Sequence, residues 1–336
     1  MEVIIEKKLP GGEHFRLHHW RSPEPIPARF VRYMVASFGY EKYRESLCDI
    51  AYWRLYSRES MNGAFAPEVI DHWFFAEIDG ELAARMWFAY SAKSGIGNFG
   101  HVETEPEYRK RGIMNEMLPH CMETVRRSPV RMLFCITGNP VAIRGYEKVG
   151  FRLIYGGESG PLVFAPSEDY EAVSRRAFAG TGMEKIRTGG IGDQFECDKF
   201  LAYSASVYQG HRHLRRGPAI WIYEFRSAYQ EMCSGNGCAV VAENRQGTIV
   251  GYAYALNIMG NPILDFTVHG DYDADAPKLL QAAVAGYRQK FSGSLFFYAA
   301  SADSEKTGIA VEAGAVECAV LPEALSDNGS LKIFRF

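Results

Sequence analysis

The sequence predicts an α/β fold made of two consecutive units, each a mixed central sheet flanked by helices. Three observations carry this. The stretch from Phe99 to Phe151 reads as strand, basic turn, helix, strand, helix. A hairpin signal precedes it, HWFFAEI (72–78), Asp79-Gly80 and ELAARMWFAY (81–90), and Asp-Gly is a dipeptide that the type I′ turn prefers. The order then returns weakly in the second half. CAVVAENRQGTIVGYAYAL (238–256) parallels 72–90, and SLFFYAASADSEKTGIAVEAGA (294–315) parallels 130–151 with 164 added to each number.

Taken in order, HFRLHHW (14–20) is the first predicted strand. Helical patterns follow from Pro25 to Phe38 and from Tyr43 to Ser57, after a proline-rich start. FGHVETEP (99–106) alternates and stops at a proline, which cannot continue a ladder. After YRKRG (108–112), IMNEMLPHCMETVRR (113–127) places apolar residues three and four apart, the helical period. VRMLFCIT (130–137) reads as a buried strand. In NPVAIRGYEKVGF (139–151), Asn139 suits an N-cap, Pro140 the first helical position and Gly150 the stop. FRLIYGG and GPLVF (151–164) close the first unit at about residue 165. Residues 166–182 read as a helical linker and 183–336 as the second unit, with ILDFTV (263–268) its central strand and DAPKLLQAAVAGYRQ (275–289) its long helix.

A length of 336 residues allows two cores. A net charge of −3 offers no basic field to recruit nucleic acid. Seven scattered cysteines without a C-x-x-C argue against a disulfide framework and for a reducing cytoplasm. MEVIIEKKLPGG is too charged for a signal peptide, and no apolar run approaches the ~18 residues of a membrane span. The expectation is a cytoplasmic protein, monomer or homodimer, without nucleic-acid or membrane partners. Histidines 14, 18, 19, 211 and 213 form no ligand set, so no metal is expected.

A strand, a short basic glycine-containing turn and a helix present free amides and a positive dipole end to an anion. Cations at a helix N-terminus oppose the dipole, so Arg109, Lys110 and Arg111 point to a bound phosphate, with Gly112 letting it approach. R-K-R-G-I-M (109–114) resembles the R/Q-x-x-G-x-G/A acyl-CoA pyrophosphate loop of the GNAT superfamily of N-acetyltransferases. Asn139, Ala142, Tyr146, Glu147, Lys148, Gly150 and Phe151 are similar to that family's later helix motif, N-x-x-A-x-x-x-Y-E-K-x-G-F. Both motifs occur in order with one strand between them. Met114 departs from the pattern, standing where the family usually has a small residue.

The resemblance implies that acetyl-CoA is the co-substrate and that an amine, on a small molecule or a peptide, is acetylated by direct attack. It places the general acid at Tyr146. It assigns cofactor contacts to Val102, Thr104, Arg109, Lys110, Arg111, Gly112, Ile113, Met114 and Asn139. On the central strand His101, Glu103 and Glu105 share one face and Val102 and Thr104 the other. An alkylammonium near pKa 10 needs a base at neutral pH. Glu103 is the first choice, through water, and Glu105 the second, while His101 is taken as structural. Cys121 and Cys135, in apolar runs, read as core. Phe30, Tyr33, Phe38, Tyr52, Trp53 and Tyr56 read mostly as core, some of them facing substrate. Glu77, Asp79, Glu81, Glu103, Glu105 and Glu107 hint at a cationic acceptor.

In the second half Asn139 becomes Asp303, Tyr146 becomes Ala310, and the loop becomes HGDYDADAP (269–277), with three aspartates that repel a diphosphate. That unit is expected to hold no cofactor. The rival reading is a non-catalytic acyl-CoA-binding sensor or scaffold. Retention of Tyr146 with the Glu103 and Glu105 pair favours an enzyme.

Overall fold

The computed structural model describes residues 1–37, 56–154, 158, 160–198, 200, 225–325 and 329–336. Most of the predicted Tyr43–Ser57 helix lies outside them, as do Phe38, Tyr52, Trp53, His211 and His213. The chain divides into two units, Met1–Glu168 and Asp169–Phe336.

In the first unit β1 (Glu2–Lys8), β2 (His14–Arg21), α1 (Ala28–Ser37), β3 (Val69–Ile78), β4 (Glu81–Ser91) and β5 (Ile96–Thr104) come first. They are followed by α2 (Ile113–Arg127), β6 (Met132–Thr137), α3 (Pro140–Glu147), β7 (Arg152–Leu153) and β8 (Gly160–Phe164). The strands form one sheet in the order β1-β2-β3-β4-β5-β6-β8-β7. Asp79 (φ 49°) and Gly80 (φ 95°) are both left-handed at the β3–β4 turn, the backbone a type I′ hairpin needs. Strand β1 carries a weak sequence signal because it sits at the sheet edge and only Ile4 and Ile5 are even half-buried.

Helix α2 lays Ile113, Met117, Cys121 and Val125, each four residues on, onto a core that includes Phe74, Phe88 and Phe99. The opposite face of the sheet carries Trp73, Trp87 and Phe75, and α1 covers part of it with Phe30 and Tyr33. Within that second layer Asp71 is fully buried, its Oδ1 accepting the Trp87 indole N–H at 2.8 Å. Burial pushes its carboxyl up to about 6. A carboxyl raised in the folded state favours folding below its unfolded pKa, and that stability is lost as pH rises through about 6. Asp71→Asn keeps the acceptor for Trp87 and removes the buried charge, which is worth on the order of 3 kcal/mol. Its melting temperature should match wild type below about pH 4, exceed it increasingly between about pH 4 and pH 7, and keep a constant margin above that. Parallel curves would show that the Asp71 carboxyl titrates alike in the folded and unfolded chain.

Two irregularities in β5 create the site. Strands β5 and β6 run parallel but pair only where Ile96, Gly97 and Asn98 meet Met132, Leu133 and Phe134. Residues 99–104 and 135–137 then part into a wedge whose facing backbone edges are unpaired with each other. The pairing with β4 also slips, Trp87 opposing Gly100 and Arg85 opposing Glu103, so that two residues bulge against one. His101 takes the strain, at φ 52° in the left-handed region, which costs a non-glycine residue about 1 kcal/mol.

The second unit runs α4 (Tyr170–Ala177), β9 (Lys185–Thr188), α5 (Gln194–Asp198), α6 (Phe225–Cys233), β10 (Gly237–Glu243), β11 (Ile249–Ile258) and β12 (Asn261–Val268). It ends with α7 (Ala276–Arg288), β13 (Phe296–Ala300), α8 (Ser304–Glu312), β14 (Val316–Leu321) and β15 (Leu331–Arg335). Its sheet has the order β14-β15-β13-β12-β11-β10-β9. Here too the parallel pair is brief, Ile263 with Phe296 and Leu264 with Phe297. The space beyond is filled. Fully buried Lys306, from α8, reaches Asp265 Oδ1 at 2.5 Å and lies 5.1 and 5.2 Å from the ring centres of Phe266 and Phe297. Lys306 is the counterpart of Ala142 in the 164-residue register. The loop before α7 winds into a 3-10 helix, Gly270–Asp275. Asp275, at the N-cap of α7, does not cap it through its side chain; it accepts from the Met183 amide at 2.9 Å and from Lys278 at 2.6 Å.

Candidate active site

The wedge between β5 and β6 opens a cavity of about 1040 Å³. Of the residues singled out in sequence, Val102, Glu103, Thr104, Arg109, Met114, Asn139 and Tyr146 line it. His101 lines it as well. Glu105, Lys110, Arg111, Gly112 and Ile113 do not. Cys135 stands on the β6 wall and is nearly buried, whereas Cys121 is core and its thiol is pushed up by burial.

The turn after β5 is held open by its own side chains. Pro106–Tyr108 form a single 3-10 turn, Lys110 is left-handed at φ 65°, and Gly112 at φ 77° is the N-cap of α2. No side chain caps that helix, and among the described residues the amides from Lys110 to Met114 meet no acceptor. Four orphan donors at a helix start need a partner. The three cations play different parts. Arg109 fastens the loop to β5, its Nε donating to the Thr104 carbonyl at 2.9 Å. Arg111 folds back to Glu13 at 3.2 Å and to the Glu107 carbonyl at 2.9 Å, over the Tyr108 ring. Part of the basic signal therefore builds the loop rather than its ligand site.

Helix α3 begins as its sequence implies, Asn139 Oδ1 accepting the Val141 amide at 3.0 Å behind Pro140. Near its C-terminal end it carries Tyr146, 8% exposed, edge-on to Phe99 and tilted against Phe151. Burial pushes its phenol well above the usual range, so it is protonated at every working pH. Among the described residues its hydroxyl makes no hydrogen bond.

Across the sheet, Glu103 pairs with buried Arg85 at 2.6 Å. Glu105 accepts from the Tyr33 hydroxyl at 2.9 Å, and burial together with that carboxylate raises the Tyr33 phenol. His101 stacks on Trp73 at 5.4 Å and leans on Trp87 at 5.0 Å. The other acidic residues do not join this group. Glu77 is a buried anchor for Arg16, His18 and Arg29, Asp79 takes the His14 amide at the hairpin end, and Glu81 and Glu107 are exposed. Sequence reasoning missed Arg85, which a lone cation within the apolar run of β4 could have signalled. It also missed Arg144, and it read Lys148 only as part of the helix motif and not as a residue of the cavity wall. Among the described residues no group of side chains has the makings of a metal site, and no helix is long and apolar enough to cross a membrane.

Residues 33–151, roughly a third of the chain, match the family model described as the acetyltransferase (GNAT) family. No curated protein matches. Solved structures similar to the chain include YncA of Salmonella typhimurium with acetyl-CoA, at 16% identity and TM-score 0.35, over 45% of this chain and 92% of that one. A ribosomal-protein-alanine N-acetyltransferase of Brucella melitensis is similar at 18% identity and TM-score 0.35, over 45% and 98%. A chimera of Vibrio cholerae spermidine N-acetyltransferase SpeG with hSSAT is similar at 15% and 0.34, over 45% and 95%.

Proposed function

With an acetyltransferase (GNAT) domain at residues 33–151 as premise, we propose that the protein is an acetyl-CoA-dependent N-acetyltransferase with one working site, in its first unit. The observation that carries this is the wedge. One cavity runs from the end of the loop with the free amides to both Tyr146 and Glu103. The residues suit the co-substrate: the amides from Lys110 to Met114, at the loop end of the cavity, have no acceptor of their own and would take the diphosphate, and the parted edges of β5 and β6, with Val102, Thr104 and Asn139, would receive an amide-bearing arm.

The chemistry asked of the chain is then small. The acceptor nitrogen attacks the thioester carbonyl carbon, a C–N bond forms and the C–S bond breaks. Glu103 accepts the proton the ammonium must lose, through water. Its contact with Arg85 orients it. Glu105, held by Tyr33, is the second choice of base. Tyr146 returns a proton to the departing thiolate, and burial keeps that proton in place until then. A carboxylate on the cavity wall suits a cationic amine, and of the six acidic residues only Glu103 lines the cavity.

Both carboxylates are already bonded to side chains, and this favours the rival reading, a sensor that binds acetyl-CoA without turnover. A panel of amines incubated with acetyl-CoA, read by release of free thiol, separates the two. Turnover of any amine above the hydrolytic background supports the enzyme, and binding without turnover of any amine supports the sensor.

The second unit is taken as degenerate. Lys306 and its ion pair fill its wedge, Ala310 replaces the acid, and aspartates crowd its loop. Calorimetry should therefore give one acetyl-CoA per chain. Two equivalent sites would overturn this assignment.

A further inference from the structure

The cavity holds more positive charge than a diphosphate needs. Arg144 and Lys148 stand one turn apart on α3 and its C-cap, are exposed, and line the same cavity as Arg109. Among the described residues neither makes an ion pair with a carboxylate. Like charges four residues apart oppose each other by about 0.2–0.5 kcal/mol. The helix dipole accounts for a cation in the last turn. It does not account for two that share a cleft with a third. Glu147, between them, is exposed but does not line the cavity. On the same rim Ile136 and Val141 are 72% and 68% exposed, an unusual amount of bare apolar surface beside a charged mouth. Cations beside an apolar shelf suit a ligand end that carries both a flat base and an anion.

Resting on the reading of this cleft as the acetyl-CoA site, we propose that Arg144 and Lys148 bind the ribose 3′-phosphate of CoA, and that the protein thereby selects CoA over its dephosphorylated forms. The diphosphate takes the amides at the start of α2, and these are committed to it. The 3′-phosphate is a separate dianion on the ribose, carrying a charge near −2. A guanidinium grips such a group through two parallel hydrogen bonds, and an ammonium adds a point charge. Both sit on the helix that walls the cleft, so the adenosine end is drawn along α3 and over Val141.

The test is calorimetry with CoA and 3′-dephospho-CoA on the full chain, at one salt concentration. Wild type should bind 3′-dephospho-CoA about ten- to a hundredfold more weakly. Arg144→Gln/Lys148→Gln should bind CoA as weakly as wild type binds 3′-dephospho-CoA, and should no longer tell the two apart. If wild type binds both within twofold, or the double variant still discriminates as wild type does, the phosphate clamp is wrong while the CoA site stands. If neither ligand binds wild type, the reading of the cleft fails, and the clamp with it. Both side chains are exposed, so the melting temperature of the variant should stay near wild type; if it does not, the two-ligand comparison on wild type decides alone.

Discussion

Gly112→Val is expected to weaken acetyl-CoA binding by about a hundredfold or more, roughly 3 kcal/mol, while the chain still folds. The expectation has two physical sources that act together. Gly112 is the N-cap of α2 at φ 77°, a conformation that a β-branched side chain rarely adopts. A Cβ built there meets nothing within 4 Å, so the protein itself would not clash with it. That open space lies beside the free amides, where the proposed diphosphate would sit. Valine would either keep the turn and obstruct the anion, or relax the turn and turn the amides away. The loop is exposed and outside the core, so the melting temperature should fall by only a few degrees. Gly112→Asn separates the two causes, because asparagine tolerates the left-handed region. Lost binding in the asparagine variant would mean obstruction, and retained binding would mean that strain moves the loop. Unchanged affinity in the valine variant would remove the diphosphate from this loop.

The first unit was legible in sequence where a local rule has one solution. Asp79-Gly80 could only be a tight turn between two alternating strands, and both residues are left-handed. Asn139-Pro140 named a helix start, and the Asn139 side chain caps it. What stayed hidden depends on contacts between distant segments. No local rule shows that β5 and β6 separate after three paired residues, or that His101 bulges into the cavity beside Trp73 and Trp87. Period-two reading assigns Glu103 to a face but not to Arg85, eighteen positions earlier in the chain. The basic triplet was read as three cations for one anion, whereas Arg111 holds Glu13 and the loop backbone. In the second unit the missing tyrosine was visible and the plug was not. Lys306 reads as a surface lysine on a short helix until the fold buries it beneath Phe266 and Phe297.

Tyr146→Phe should lower kcat by roughly ten- to a thousandfold, the range for losing a positioned acid, with acetyl-CoA affinity within about twofold of wild type. The substitution is clean for a structural reason. The ring is packed against Phe99 and Phe151, contacts that phenylalanine keeps. The hydroxyl makes no hydrogen bond among the described residues, so its removal orphans no protein partner, and the melting temperature should hardly move. The pH dependence gives a second check. Burial raises the phenol far enough that it does not ionise in the working range. An alkaline limb in the wild-type profile must then come from another group and should survive in the phenylalanine variant. Loss of that limb would make Tyr146 the titrating residue and would contradict its buried, protonated state. Full turnover by the variant, with the fold intact, would reduce Tyr146 to packing. The proton for the departing thiolate would then have to come from elsewhere in the cleft, and Cys135, nearly buried on the β6 wall, is the next donor to remove.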